Sequence, residues 1–212
     1  MIGIPAPRIL LLAFLGLLAA VGLTGCGSSS FTFGQDTRNK MIVSVRDQKM
    51  LLVRDGTPVK AYKISTSKFG VGDRPGSNCT PLGRLQVAKK IGDNAPIGSV
   101  FKTRRRTGEV LPPNAPGRDP VVTRIMWLTG TESRNQNAFR RTIYIHGTPE
   151  ERRLGTPASY GCIRMASKDV ADLYNRIGTG ADVFVIRGSI QSDKASDVES
   201  ASVASHGVRS RS

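Results

Sequence analysis

The 212-residue sequence has few of the side chains that bind metals or cross-link chains, with two histidines and three cysteines. No CxxC or HxxxH spacing occurs among them. A structural zinc site needs about four such ligands, so we expect no metal centre. Cys79 and Cys162 are either free thiols or a disulfide, and we favour a free, buried thiol for Cys79.

Long apolar runs are also scarce. One run extends from Ile9 to Leu23, about fifteen residues, whereas a helix needs roughly twenty to cross a bilayer. The run follows the positive charge of Arg8 and ends in small residues, which is typical of a secretory signal peptide. We therefore expect residues 1–25 to be a cleaved signal peptide rather than a transmembrane anchor.

The expected signal peptide runs into the motif LTGC, which resembles a bacterial lipobox. The resemblance implies that Cys26 is lipidated and becomes the first residue of the mature protein. A plain signal peptide with an incidental cysteine is the alternative. Acyl chains would hold the protein at a membrane of the bacterial cell envelope, facing the periplasm. Gly27 at the second mature position resembles the lipoproteins that are delivered to the outer membrane of cells with two membranes.

Acidic residues are outnumbered by basic ones, 16 to 31, which gives a formal net charge of +15. The excess lies between residues 40 and 187, in the clusters KTRRR, FRR and EERR. A basic surface attracts polyanions. Nucleic acid does not suit an exported protein, so we expect no nucleic-acid partner. The expected partners are peptide carboxylates of the cell wall, wall polymers or anionic lipid.

Composition divides the chain after the signal peptide into three parts. Residues 26–39 include Gly-Ser-Ser-Ser and stay polar, which predicts a flexible tether. Residues 188–212 are rich in serine and poor in large apolar side chains, which predicts a disordered tail in which His206 is incidental. Residues 40–187 are long enough for one domain with a core of ordinary size, and they show no internal repeat.

The central domain shows mostly the apolar alternation of a β protein. The turn signals RDQK and Asp55-Gly56 predict that its first three strands form an antiparallel meander. Seven segments are predicted strands: MIVSV, MLLV, PVKAYKIS, RLQVAKK, VVTRIMWL, RTIYIH and DVFVIR.

Only one segment has the period of an amphipathic helix, and it follows Cys162. Ser167 is its predicted cap and Gly178 its predicted end. Residues 92–119 are rich in glycine and proline, which predicts surface loops around a cleft. The whole pattern predicts a mainly β fold, a sandwich or open barrel of mixed strands with one or two short helices.

His146 and Cys162 stand in one segment, YIHGTPEERRLGTPASYGCIRM, and each lies beside a glycine. An adjacent imidazole can take the proton of a thiol and so create a nucleophile. Gly161 allows backbone N–H groups to approach a developing oxyanion, and the carbonyl of Gly147 can orient the imidazole. These four residues predict acyl transfer through a thioester. A buried structural cysteine and histidine are the alternative.

The segments IHGT and SYGCIRM together resemble the signature of the L,D-transpeptidases of bacterial cell walls. That signature has His-Gly, then Ser-His-Gly-Cys with an Arg or Asn two places on. The resemblance covers residues 40–187 and extends to TPLG and DVADLYNRIGTGADVFV. It departs at Tyr160, where the family usually has histidine, and this departure bears on the hydrogen bonding around the thiol.

The resemblance implies a role for each matching residue and no cofactor. Cys162 would be the nucleophile, His146 its base, and Gly147 the residue whose carbonyl orients the base. Arg164 would contact a substrate carboxylate or brace the loop. The turn residues Ser159, Tyr160 and Gly161 would shape the site, with the amides of Gly161 and Cys162 as the oxyanion hole.

The resemblance further implies that the substrate is a peptidoglycan stem peptide. The thiolate would attack a tetrapeptide stem, release its terminal D-alanine and pass the acyl group to a neighbouring stem as a 3–3 cross-link. An L,D-carboxypeptidase and an enzyme that attaches a protein to murein would use the same two side chains. Two different classes of protein also fit the sequence: a noncatalytic wall-binding lipoprotein and, last, a cysteine endopeptidase.

Overall fold

The computed structural model describes residues 34–190, and within them the chain forms ten strands, one α-helix and two short 3-10 turns. The signal peptide, Cys26, most of the predicted tether and nearly all of the predicted tail with His206 lie outside the described residues. The strands are β1 Asn39–Ser44, β2 Lys49–Arg54, β3 Thr57–Ser65, β4 Gly83–Ile91, β5 Ser99–Lys102, β6 Arg105–Val110, β7 Val121–Gly130, β8 Tyr144–Gly147, β9 Ile163–Met165 and β10 Asp182–Ile186; the helix α1 is Ser167–Arg176, and the 3-10 turns are Ser133–Asn135 and Glu151–Arg153.

The strands form one sheet in the order β4-β10-β1-β2-β3-β9-β8-β7-β5-β6, with an additional pairing between β4 and β7. Because β4 pairs with β10 on one side and with β7 on the other, eight strands close into a barrel. The β5–β6 hairpin extends from β7. The pairs β1–β10 and β8–β9 are parallel and the other pairs are antiparallel, so the predicted mixed, mainly β fold is confirmed, with a closed barrel instead of an open one.

The predicted meander is present as β1, β2 and β3. Its second turn has positive φ at both central residues, +50° at Asp55 and +80° at Gly56. A turn of this hand matches the twist of antiparallel strands, and glycine adopts it without steric cost. The sequence signal Asp-Gly therefore identified the hairpin correctly.

The barrel core consists of apolar side chains that alternate with polar ones along the strands. Leu52, Met126, Ile145 and Ile163 are each fully buried, and Leu173 of α1 packs against the same cluster. Burying a side chain of this size contributes roughly 1.5–3 kcal/mol. The core therefore fixes the barrel strands from which the candidate site is built.

Helix α1 occupies the predicted segment but begins differently. Ser167 is the first helical residue instead of the cap. The N-cap position belongs to Ala166, which forms no side-chain capping hydrogen bond. Glu151 takes over part of this role, because its Oε1 accepts a hydrogen bond of 2.9 Å from the Ser167 N–H. Gly178 follows the end of the helix as predicted, and its N–H donates to Asp36 Oδ2 at 2.6 Å.

Other segments differ from the sequence-based expectation. Residues 92–119 contain the β5–β6 hairpin as well as loops, and β9 was not predicted. The ordered fold also extends past both predicted borders of the domain: the Asp36 N–H donates to the Thr179 carbonyl, and the Ile190 N–H donates to Asp47. Within residues 34–190 no helix combines the length and apolar character needed to cross a membrane.

Candidate active site

The parallel pair β8–β9 positions the candidate site. His146 pairs in register with Arg164, between the pairs Ile145–Ile163 and Gly147–Met165. Successive side chains of a strand point to opposite faces, and Ile145 and Ile163 point into the core. His146 and Arg164 therefore share the other face. Cys162 immediately precedes β9 and packs against the cluster that includes Ile125 and Tyr144. Ile125 is the register partner of His146 on β7, so Cys162 lies on this same face.

The sulfur of Cys162 lies against the backbone that leads into β8. The Tyr144 N–H donates to Sγ at 3.4 Å, and the thiol donates to the Thr142 carbonyl at 3.4 Å. Neither hydrogen bond involves the imidazole. Cys79 and Cys162 are both free, so the disulfide alternative is wrong. Cys79 is partly exposed instead of buried.

His146 is buried, with 5% of its surface exposed, and its ring is fixed by the next residue. Its Nδ1 lies 2.8 Å from the Gly147 carbonyl oxygen. Because a carbonyl only accepts, Nδ1 carries the proton and Nε2 is left as the proton acceptor. A Cβ on Gly147 would lie 2.7 Å from the Val122 carbonyl, so this position requires glycine. The contact expected between Gly147 and the imidazole is present.

Burial keeps the thiol of Cys162 and the imidazole of His146 uncharged. It lowers the pKa of His146 to about 4; Arg164 lowers it as well, while the Gly147 carbonyl and Asp119 act in the opposite direction. Burial raises the pKa of Cys162 to about 11, against the effects of the Tyr144 N–H, Arg164 and Arg141. The free protein therefore holds a neutral thiol and a neutral imidazole at pH 7, which differs from the expected resting thiolate.

The turn before the cysteine depends on Gly161 and Ser159. Gly161 has φ +119°, and a Cβ there would lie 3.2 Å from the Cys79 carbonyl. Its N–H donates to Ser159 Oγ at 3.2 Å, and that hydroxyl donates to the Cys162 carbonyl at 2.6 Å. Ser159 thus shapes the turn as expected. Because the Gly161 N–H is bound to Ser159, it is not available for the predicted oxyanion hole. The place of the Cys162 N–H in that hole stays a prediction.

Tyr160 points to solvent, with 57% of its surface exposed. Its Oη accepts a hydrogen bond of 3.0 Å from Lys68 Nζ, and its ring contacts Phe69 with 5.4 Å between centroids. The hydrogen bonds of the thiol go to Thr142 and Tyr144 instead. Tyr160 therefore takes no part in the hydrogen bonds of the sulfur.

Arg164 is 8% exposed and forms a buried ion pair. Its Nη2 lies 2.6 Å from Asp119 Oδ2, and its Nη1 lies 3.5 Å from Glu150 Oε2. Asp119 stands just before β7, and its other oxygen accepts from the Thr148 hydroxyl. These contacts favour the bracing role over a free contact to substrate. They also hold a positive charge beside both reacting groups.

A second buried ion pair, which the sequence did not predict, joins Arg141 and Asp73. The two side chains are 8% and 5% exposed and lie 2.9 Å apart. Arg141 also donates to the Cys79 carbonyl at 2.7 Å, and so holds that segment against Gly161. The cluster FRR was interpreted as basic surface, which is wrong for Arg141. Nothing in the sequence marks Asp73 as its partner, because the two are far apart along the chain.

Comparison with known proteins identifies the family. The profile of the L,D-transpeptidase catalytic domain matches residues 38–186. This chain belongs to the L,D-transpeptidase catalytic domain family. No curated protein sequence gives a significant match.

Solved L,D-transpeptidases resemble the chain at low sequence identity. One from Mycobacterium smegmatis is 15% identical with a TM-score of 0.46, over 70% of this chain and 58% of that one. One from Mycobacterium tuberculosis H37Rv is 20% identical with a TM-score of 0.46, over 71% and 58%. One from Enterococcus faecium is 17% identical with a TM-score of 0.46, over 70% and 50%. The chain thus spans less than two thirds of these L,D-transpeptidases.

The neutral thiol predicts a particular pH dependence of alkylation. With iodoacetamide, the rate at Cys162, followed by peptide mass mapping of the full chain, should rise steadily from neutral pH towards the pKa of about 11. The reason is that only the thiolate reacts, and burial disfavours it. In denaturant the apparent pKa of the rate profile should fall to that of an ordinary thiol, about 8.5. A plateau already reached below neutral pH in the folded protein would instead demonstrate a resting thiolate–imidazolium pair.

The conformation of Gly161 predicts that Gly161→Ala is strongly destabilising. A side chain in this backbone region costs about 1–3 kcal/mol, and the Cβ would also press on Cys79 and Ile143. The matched control is Gly76→Ala, at φ +76° with no atom within 4 Å of the added Cβ. Denaturant unfolding should show a larger loss of stability for Gly161→Ala. Equal losses would mean that close contact at Gly161 does not matter.

Proposed function

We propose that this protein is a peptidoglycan L,D-transpeptidase that forms 3–3 cross-links through an acyl-enzyme on Cys162. The observation that carries the proposal is the arrangement of His146: its Nδ1 is bound to the Gly147 carbonyl, and its ring shares a sheet face with Cys162. A fixed imidazole with a free Nε2 on the thiol's face is suited to accept the thiol proton. Membership of the L,D-transpeptidase family supports the same reaction.

In the first half-reaction Cys162 takes the acyl group of a tetrapeptide stem. The thiol and imidazole start uncharged, so proton transfer to His146 Nε2 accompanies attack of the sulfur on the carbonyl of the third residue. The amide bond to the terminal D-alanine then breaks, and the proton passes from Nε2 to the leaving amine. The products are a thioester and free D-alanine.

In the second half-reaction the amine of a neighbouring stem attacks the thioester. His146 takes a proton from this amine and returns it to the sulfur, so that the thiol is restored and a new amide bond links the two stems. Where water reaches the thioester first, the same residues catalyse carboxypeptidase chemistry, and the amine of a protein would give attachment to murein.

The charge around the site suits this substrate class. The β5–β6 hairpin carries exposed Arg105 and Arg106, and Arg104 between the two strands donates to the Tyr144 hydroxyl at 3.3 Å. The Tyr144 backbone in turn contacts the candidate nucleophile Cys162. Stem peptides carry several carboxylates, and arginine binds carboxylates with paired hydrogen bonds.

A carbapenem tests the acyl-enzyme. The purified protein should gain the mass of one carbapenem in intact mass spectrometry, because the β-lactam carbonyl acylates the same thiol. Cys162→Ala should abolish the adduct, and Cys79→Ala, the matched control, should retain it. Folded wild-type protein that keeps its unmodified mass would contradict the proposal.

The reaction product distinguishes cross-linking from hydrolysis and from simple binding. Incubation with tetrapeptide muropeptides should release D-alanine and yield 3–3 linked dimers in chromatography with mass detection. Tripeptides without dimers would indicate an L,D-carboxypeptidase. Sacculus binding without any product, unchanged in Cys162→Ala, would indicate a wall-binding lipoprotein.

We further propose that Cys26 is lipidated and anchors the protein in the cell envelope, facing the periplasm. The proposal rests on the LTGC motif after the apolar run. In a bacterial host the full chain should fractionate with membranes, and Cys26→Ser should not carry the added lipid mass and should leave the membrane fraction. Membrane fractionation that is unchanged in Cys26→Ser would contradict lipid anchoring at this residue.

A further inference from the structure

Lys68, Phe69 and Tyr160 form an exposed cluster, here called the lysine–aromatic cluster, and Tyr160 is two residues before the candidate nucleophile Cys162. Phe69 and Tyr160 are two of the few large apolar side chains that are exposed in residues 34–190, at 48% and 57%. Their ring centroids are 5.4 Å apart. Lys68 Nζ lies 4.4 Å from the centre of the Tyr160 ring and 5.3 Å from that of Phe69. Exposed apolar groups that cluster together often mark binding sites.

Backbone contacts hold this cluster in place. Ser67 and Ser159 form a parallel bridge, and the Lys68 N–H donates to the Ser159 carbonyl at 3.1 Å. The two segments that carry the cluster are therefore joined just before Lys68 and Tyr160. A surface fixed in this way loses little conformational entropy when a ligand binds.

The ammonium of Lys68 has unused donors. It donates to Tyr160 Oη at 3.0 Å, which uses one of its three N–H groups. None of the salt bridges within residues 34–190 includes Lys68. The contact with Lys68 lowers the pKa of the Tyr160 phenol, which is the effect of an ammonium held close by. An exposed, oriented ammonium without an acidic partner is suited to bind a carboxylate.

The position of the cluster limits which part of a ligand it can reach. Tyr160 is separated from Cys162 by Gly161 alone, so their Cα atoms are at most about 7.6 Å apart. One extended peptide residue spans roughly 3.3–3.6 Å. Lys68 Nζ lies 3.0 Å from the hydroxyl at the outer end of the Tyr160 side chain, so a carboxylate bound there lies within a few peptide residues of the carbonyl that the sulfur attacks.

We propose that the lysine–aromatic cluster is a subsite for the terminal carboxylate of the stem peptide, with Lys68 binding the carboxylate and Phe69 and Tyr160 contacting the apolar part of the same residue. This inference rests on the proposed function, because it assumes a stem peptide at Cys162. In the tetrapeptide the terminal carboxylate belongs to D-alanine, directly after the reacting carbonyl. Lys68 then determines preference for a free acid over an amide at this end.

Binding to a protein that cannot be acylated tests the subsite. The full chain with Cys162→Ser is titrated calorimetrically with a tetrapeptide stem that ends in a free carboxylate and with the same peptide as its terminal carboxamide. The acid should bind more tightly. Adding Lys68→Met should weaken binding of the acid about three- to tenfold and leave the amide unchanged, because only the acid has the charge that Lys68 recognises.

Two further variants serve as comparisons. Lys49→Met removes an exposed charge on β2, which β3 separates from β9, and should change neither affinity. Phe69→Ala should weaken the acid and the amide by the same factor, because its contact is apolar. Thermal unfolding should be alike in all variants, since Lys49, Lys68 and Phe69 are exposed.

The outcomes separate the subsite from the proposed function. Three outcomes would overturn the subsite. Lys68→Met weakens binding of the acid and the amide equally, it weakens binding of neither, or the tetrapeptide does not bind at all. The proposed function is tested in the wild-type protein by adduct and product formation, which do not depend on Lys68. Acylation without acid preference would leave the function standing and remove the subsite.

Discussion

The parallel pairing of β8 with β9 is the constraint on which the candidate site depends. It places Ile145 and Ile163 in the core and His146 and Arg164 on the opposite face. A register slip of one residue would exchange the faces, so that the imidazole and the guanidinium would enter the apolar core. The burial of the two isoleucines therefore selects the register that brings the imidazole to the thiol's side. Strand β3 supports β9 from its other edge.

The same burial that fixes the site keeps its thiol and its imidazole uncharged. Desolvation shifts the pKa values of Cys162 and His146 apart, in the direction that leaves both neutral. Arg164 favours the thiolate but opposes a protonated imidazole, whereas Asp119 favours that protonated form. In the proposed proton transfer, Arg164 would stabilise the thiolate of Cys162 and Asp119 would stabilise the protonated imidazole of His146.

The parts of the fold that could be predicted are those specified by local pattern. Apolar alternation identified seven strands, and a helical period identified α1. Strands β9 and β5 were missed because three or four residues are too few to show alternation, and β6 was missed because it is polar and exposed. In the site, the pattern identified His146 and Cys162. It could not identify the pairing of Arg141 with Asp73, which only the closed barrel brings together.

The departure at Tyr160 has a physical explanation in its neighbours. Its side chain faces solvent, so the thiol places no demand on its chemistry. Its hydroxyl is instead bound by Lys68, whose ammonium donates to it at 3.0 Å. A phenol accepts that bond and offers a ring face to the charge. Tyrosine and lysine therefore form a matched pair at the surface, apart from the hydrogen bonds of the sulfur.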